Sequence, residues 1–210
     1  MEDLKKVFAG KLLGIKAIKL QPNDPFTWAS GWKSPFYCDN RKTLSFHDVR
    51  SFVKLELVHA ILANFPEATA VAGVATGAIA QGMLVADELA LPYAYVRPKP
   101  KDHGMKNQIE GELPTGSKVV VVEDLISTGG SSLKAVAALR EAGFEVVGMV
   151  ASYTYGFPVA EEAFREAHVK LVTLTDYEHV VEKALETGYI KEDEVAMLHD
   201  WRKDPANWRK

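Results

Sequence analysis

The chain has a single cysteine, Cys38, in 210 residues. One thiol excludes an internal disulfide and any cysteine-built metal cluster, and it suits a reducing compartment. No apolar run reaches the roughly 20 residues that a membrane-spanning helix requires. The opening MEDLKKVFAGKLL has helical amphipathicity with early acids and lacks the long apolar core of a signal peptide, so no membrane association and a cytoplasmic location are expected. A basic excess is missing too, since 25 Lys plus Arg face 28 Asp plus Glu for a formal net charge of −3. That balance argues against nucleic acid as a partner, and any attraction to phosphate has to be local. Repeats, low-complexity tracts and Pro/Gly/Ser linkers are also lacking, so residues 1–210 are expected to form a single domain. With 47% apolar residues, such a domain can bury a substantial core.

Against this background the segment Val119–Ser132, VVVVEDLISTGGSS, stands out. Four consecutive valines fit a strand covered on both faces, as in a parallel sheet. The strand is expected over Val119–Val122, so that Glu123 and Asp124 sit at its carboxyl end, the edge where ligands bind in open α/β sheets. Ser127, Thr128, Gly129, Gly130 and Ser131 then lead into a helix expected from about Ser132 to Glu141. Glycines allow close backbone approach to a phosphate, hydroxyls donate hydrogen bonds, and a helix start favours negative charge. Carboxylates would repel phosphate, so the acids are better suited to sugar hydroxyls or to the water shell of a Mg²⁺ ion. Two other phosphate motifs fail. Gly116-Ser117-Lys118 has the wrong order for a Walker A loop and precedes a strand, and Gly73, Gly77 and Gly82 do not make GxGxxG.

Elsewhere the pattern alternates. Strands are expected at Ala17–Leu20, Pro35–Cys38, Thr69–Ala75, Tyr93–Val96, Val146–Ser152 and Val169–Thr173. Helices are expected at the amino terminus, Phe46–Leu62, Ala78–Glu88 and Val159–Glu166, with two more at the carboxyl end. This order argues for a parallel sheet flanked by helices, residues 66–210, behind an amino-terminal part of residues 1–65. Between Arg97 and about Ser117 runs a polar loop, RPKPKDHGMKNQIEGE at its start, with Arg97, Lys99, Lys101, His103 and Lys106. Such a length inside a compact domain marks a functional lid or a disordered, solvated segment, and its cations suit a multiply charged anion such as pyrophosphate. His103 on that loop can donate a proton or hydrogen bond to a leaving group.

The acid pair followed by the hydroxyl-glycine loop resembles the signature of the type I phosphoribosyltransferases. The resemblance narrows to the orotate phosphoribosyltransferases at Arg97, Lys101, Asp102, His103 and Gly104, and again at Ser30-Gly31, Ser34-Pro35 and the aromatics Phe36 and Tyr37. It implies a type I phosphoribosyltransferase-like α/β fold with a small amino-terminal hood, Mg²⁺ as cofactor, and a homodimer in which the mobile loop 97–112 closes over the partner's site. It implies that 5-phosphoribosyl 1-diphosphate is held by Arg97, Lys101, His103 and the run Glu123, Asp124, Leu125, Ile126, Ser127, Thr128, Gly129, Gly130 and Ser131. Lys101, His103 and Asp124 are the catalytic candidates. Orotate would meet Ser127, Lys33, Phe36, Tyr37 and Arg41, although the same aromatics would serve equally as a packed mini-core. No residue is expected to bind the metal directly; Mg²⁺ would be held through substrate and water near Glu123 and Asp124.

Two positions depart from the commoner family pattern, Ala29 and Gly77, where many members carry lysine. Gly73–Ile79 still reads as a strand-to-helix turn whose backbone N–H groups can bind pyrophosphate. The expected reaction is transfer of phosphoribose to N1 of orotate, giving orotidine 5′-monophosphate and pyrophosphate in UMP biosynthesis. Its rivals are a purine or uracil phosphoribosyltransferase and a regulator of the same fold that binds nucleic acid.

Overall fold

The computed structural model describes residues 3–27, 33–99 and 108–209. By contact the chain divides into two compact units, Met1–Phe46 with Thr175–Lys210, and His47–Leu174.

In the first unit, helix α1 (Leu4–Gly14) is N-capped by Asp3, whose carboxylate accepts from the Lys5 backbone N–H. Strand β1 (Ile18–Leu20) pairs antiparallel with β4 (Phe36–Cys38), and a second short hairpin joins β2 (Phe26–Thr27) to β3 (Lys33–Ser34). A 3₁₀ helix covers Asn40–Ser45. Helices α6 (Tyr177–Glu186) and α7 (Glu192–Lys203) complete this unit; the Lys5 ammonium meets Asp176 at 2.9 Å, and the Phe36 ring stacks on Trp201 beside Tyr177.

The second unit begins with α2 (His47–Asn64), ahead of the boundary expected near residue 65. The reason is packing, because α2 lies against α3 (Ile79–Leu89) and β9 (Glu145–Thr154). The remaining elements are β5 (Ala70–Val74), β6 (Tyr93–Val96), β7 (Ile109–Glu110), β8 (Lys118–Ile126), α4 (Gly130–Glu141), α5 (Pro158–Glu166) and β10 (Leu171–Asp176). Six strands form one sheet in the order β10-β9-β8-β5-β6-β7. The pairs β5/β6, β5/β8 and β8/β9 are parallel, as the alternating pattern predicts, and β6/β7 is antiparallel. Every residue of β5 is buried and the four valines of β8 are fully so, consistent with a sheet covered on both faces.

The chain leaves β5 for β6 on one side and returns to β8 on the other. That reversal makes a topological switch point, and a crevice opens beyond the carboxyl ends of the two strands. Strand β8 is longer than expected, running through Ile126 rather than stopping at Val122. The cause is its ladder with β9, which continues through Glu123↔Ala151 and Ile126↔Thr154 after pairing with β5 has ended at Gly73↔Val122. Glu123 and Asp124 therefore lie within a strand that is paired on one side only. The polar loop is also shorter than expected, because β7 folds back on β6 through Tyr95↔Glu110 and Val96↔Ile109. Among the described residues, no helix is long and apolar enough to cross a membrane.

Candidate active site

Consecutive strand residues point to opposite faces of a sheet, so the two acids of β8 cannot share one role. Glu123 is turned inward at 4% exposure. One of its carboxylate oxygens accepts from the Ser132 hydroxyl at 2.8 Å and the other from the Asp124 backbone N–H at 3.0 Å. Burial, reinforced by the charge of Asp124, pushes the Glu123 carboxyl up to about 8 from the ordinary 4.5. The upward shift lessens the negative charge that Glu123 adds beside Asp124, and with it the repulsion of a polyphosphate.

A stability consequence follows from linkage. Between the unfolded value near 4.5 and about 8, the folded chain retains a proton that the unfolded chain has released. This contribution to stability is complete below 4.5 and is lost as pH rises through 8. Glu123→Gln, which keeps the shape but cannot ionise, is expected to flatten the fall in stability between pH 5 and pH 9, as read from urea midpoints across that range.

Asp124 is half-buried, and its carboxylate lies against Gly77, just past the end of β5. The turn after β5 carries a cis peptide between Ala75 and Thr76. A Cβ on Gly77, two positions further on, would overlap the Asp124 carboxylate. Glycine at 77 is what lets the β5 turn and the Asp124 side chain occupy adjoining space. This gives a physical reason for the departure from lysine at that position.

Beyond Asp124, Leu125 is half-buried and the Ile126 side chain is fully buried in the core, leaving Ile126 only its backbone for any ligand contact. Ser127 is half-exposed, whereas Thr128, Gly130 and Ser131 are exposed. Helix α4 starts at Gly130, two residues earlier than expected, because Gly129 at φ 80° makes the turn that begins it. A Cβ at Gly129 would approach the Phe164 ring to 2.9 Å, so both conformation and space select glycine there. The first helical turn has no acidic residue, and its N–H groups and hydroxyls form a donor-rich cradle.

A cavity of about 320 Å³ opens where this helix start approaches the end of β6. It brings together Arg97 and Lys99 from one side, Gly130 and Ser131 from the other, and Val74 and Ala75 of the β5 end. The Arg97 guanidinium meets Glu110 of β7 at 3.5 Å. Lys134 also lines the cavity, a cation that the motif reading missed. Its signal was available, since helical spacing sets it on the same face as Gly130 and Ser131. Lys101, Asp102, His103, Gly104 and Lys106 lie outside the described residues, as do Ala29, Ser30 and Gly31.

The candidates for the base belong to the first unit, apart from Ser127. Phe36 is fully buried and packs on Tyr177 and Trp201, so it is a core residue and its ring is not open to a ligand. Tyr37 is exposed, with its ring 5.4 Å from Phe26. The Lys33 ammonium donates to the Thr27 hydroxyl at 2.9 Å. Arg41 is exposed and pairs with Asp39 at 2.7 Å, holding that carboxyl below its usual range.

A profile of the phosphoribosyl transferase domain matches residues 56–187. Orotate phosphoribosyltransferase of Bacteroides thetaiotaomicron is 69% identical over 208 residues, covering 99% of this chain and 98% of that protein. The chain belongs to the orotate phosphoribosyltransferase family. The Listeria innocua family member is 53% identical, with 99% of this chain and all of that protein covered. Among solved structures, orotate phosphoribosyltransferase from Aeropyrum pernix superposes with a TM-score of 0.76 at 30% identity, over 88% of this chain and 99% of that one. Leishmania donovani UMP synthase shares the fold, with a TM-score of 0.79 at 23% identity over 95% of this chain and 42% of that one.

Proposed function

We infer that this family member transfers the phosphoribosyl group of 5-phosphoribosyl 1-diphosphate to orotate, giving orotidine 5′-monophosphate and pyrophosphate in pyrimidine biosynthesis. The observation that carries this reading is a cation-lined cavity at the start of α4, where the donor-rich loop ends, with the Asp124 carboxylate held nearby against Gly77 at the switch point. Those groups match a sugar that bears phosphate at both ends. Thr128–Ser131 bind the 5-phosphate, Asp124 orients the ribose hydroxyls with Glu123 buried behind it instead of touching the sugar, and Arg97 with Lys101 and His103 receives the departing pyrophosphate.

Breaking the bond to pyrophosphate leaves positive charge on the ribose ring and negative charge on the leaving group. The protein's work is then to hold the sugar, stabilise the anion and keep water out. A single half-exposed carboxylate among neutral hydroxyls fits a hydrated Mg²⁺ carried in on the donor's own oxygens, with Asp124 meeting its water shell. When bound, the cation neutralises part of the diphosphate charge. On the base side, Tyr37, Lys33, Arg41 and Ser127 are the remaining candidates. A cytoplasmic homodimer that shares the loop 97–112 between subunits completes the proposal.

Incubating the chain with the donor, Mg²⁺ and either orotate, uracil, adenine or hypoxanthine tests it. Loss of orotate absorbance with one pyrophosphate released per orotate consumed is expected. Consumption of another base in its place would reassign the acceptor, and binding of RNA or DNA without pyrophosphate release would favour a regulator.

A further inference from the structure

We propose that Ser132, which lies just past the donor-rich loop, is a positioning residue for the bound phosphosugar. Through its hydrogen bond to Glu123 it ties the first turn of α4 to the end of β8. This inference rests on the reading of the loop as the cradle of a ribose 5-phosphate group.

Ser132 is 1% exposed and Glu123 is 4% exposed. A serine in the first turns of a helix ordinarily turns to water or to nearby backbone. Here its hydroxyl points sideways into the sheet and meets the carboxylate at 2.8 Å, from a residue nine positions earlier in the chain. Alanine would occupy the same space without clash, so packing alone does not call for a hydroxyl. The other Glu123 oxygen accepts from the backbone N–H of Asp124. One side chain is thus held at two points, by the helix that supplies the phosphate cradle and by the backbone of the residue assigned to the ribose. The segment between them, Leu125–Ser131, is bounded at its far end by the buried Ser132–Glu123 contact and at its near end by the part-buried Asp124 N–H bond. Strand pairing of Leu125 with Tyr153 and of Ile126 with Thr154 secures its near side. Removing the hydroxyl leaves a buried carboxylate oxygen without its donor and frees the carboxyl group to turn toward Asp124, so the two halves of the cradle lose their fixed relation.

The test is calorimetric titration of the full chain and its Ser132→Ala variant with ribose 5-phosphate and, separately, with inorganic pyrophosphate. Ser132→Ala is expected to weaken ribose 5-phosphate by about tenfold, the scale of one hydrogen bond to a charged or partly charged group, and to leave pyrophosphate within about twofold. Ser132→Thr, which retains the hydroxyl, is expected to restore ribose 5-phosphate affinity. In steady-state assays the same loss should appear in the KM for the diphosphate donor and not in the KM for orotate. Equal weakening of both anions, or no weakening of either, overturns the proposal, as does a loss that Ser132→Thr fails to recover when its urea midpoint matches that of the parent. If the parent transfers nothing to orotate while the contrast between the two anions holds, the acceptor assignment fails and the positioning role stands.

Discussion

Gly77→Ala is expected to lower kcat/KM for transfer to orotate by roughly 10²-fold, the cost of misplacing a catalytic group by about an ångström. Its urea midpoint should stay close to that of the parent. The separation of the two effects comes from what the new Cβ meets, which is the Asp124 carboxylate. That carboxylate is the far end of a half-exposed side chain and can rotate away, so the fold absorbs the change. Gly77 is not among the glycines with positive φ, so alanine adds no backbone strain there. The carboxylate that rotates, however, is the one assigned to the ribose and to the water shell of the metal. A double-mutant cycle isolates this route. If Gly77→Ala acts through Asp124, then adding it to Asp124→Ala changes little further, whereas two independent effects would multiply. A fall in stability that matches the fall in activity would instead place Gly77 in the packing of the β5 turn.

Lys101→Ala is expected to slow the chemical step by about 10²–10³-fold, as removal of one preorganised donor to a developing anion does. The KM for orotate should change little, because this cation is assigned to the leaving group. Folding should be unaffected. The described residues on either side of that position are tied to each other: the Arg97 N–H donates to the Gln108 carbonyl at 2.8 Å, the Gln108 side chain returns a hydrogen bond to the Arg97 carbonyl, and β7 pairs with β6. Single-turnover measurement of orotidine 5′-monophosphate formation separates the chemical step from product release. Turnover equal to that of the parent would remove the loop from the mechanism.

Much of the donor side was legible in local sequence. The valine run, the acid pair and the hydroxyl-glycine bend are contiguous, and the physics that joins a buried strand to a helix start acts over a few residues. What was not legible depended on partners distant in the chain. Nothing in Glu123-Asp124-Leu125-Ile126 reveals that β9 continues the ladder to Ile126, because a backbone ladder is indifferent to the side chains it carries. Strand β7 is only Ile109–Glu110, too short to show a period. Phe36 and Tyr37 read alike until Trp201 and Tyr177, far along the chain, bury one ring and leave the other exposed. The same distance effect moved the unit boundary, since no local signal says that α6 and α7 return to the amino-terminal segment. Adjacent positions on a pleated strand alternate in direction, so the inequality of Glu123 and Asp124 was implicit once both were placed in β8.

The division of the chain has a genetic consequence. Every described candidate for the phosphosugar falls within His47–Leu174, one unbroken stretch, whereas the aromatic and basic candidates for the base, Ser127 apart, occupy a unit assembled from both chain ends. On the proposed assignment, heritable change near the amino-terminal end of the coding sequence would retune which base is accepted while the grip on the sugar is inherited intact.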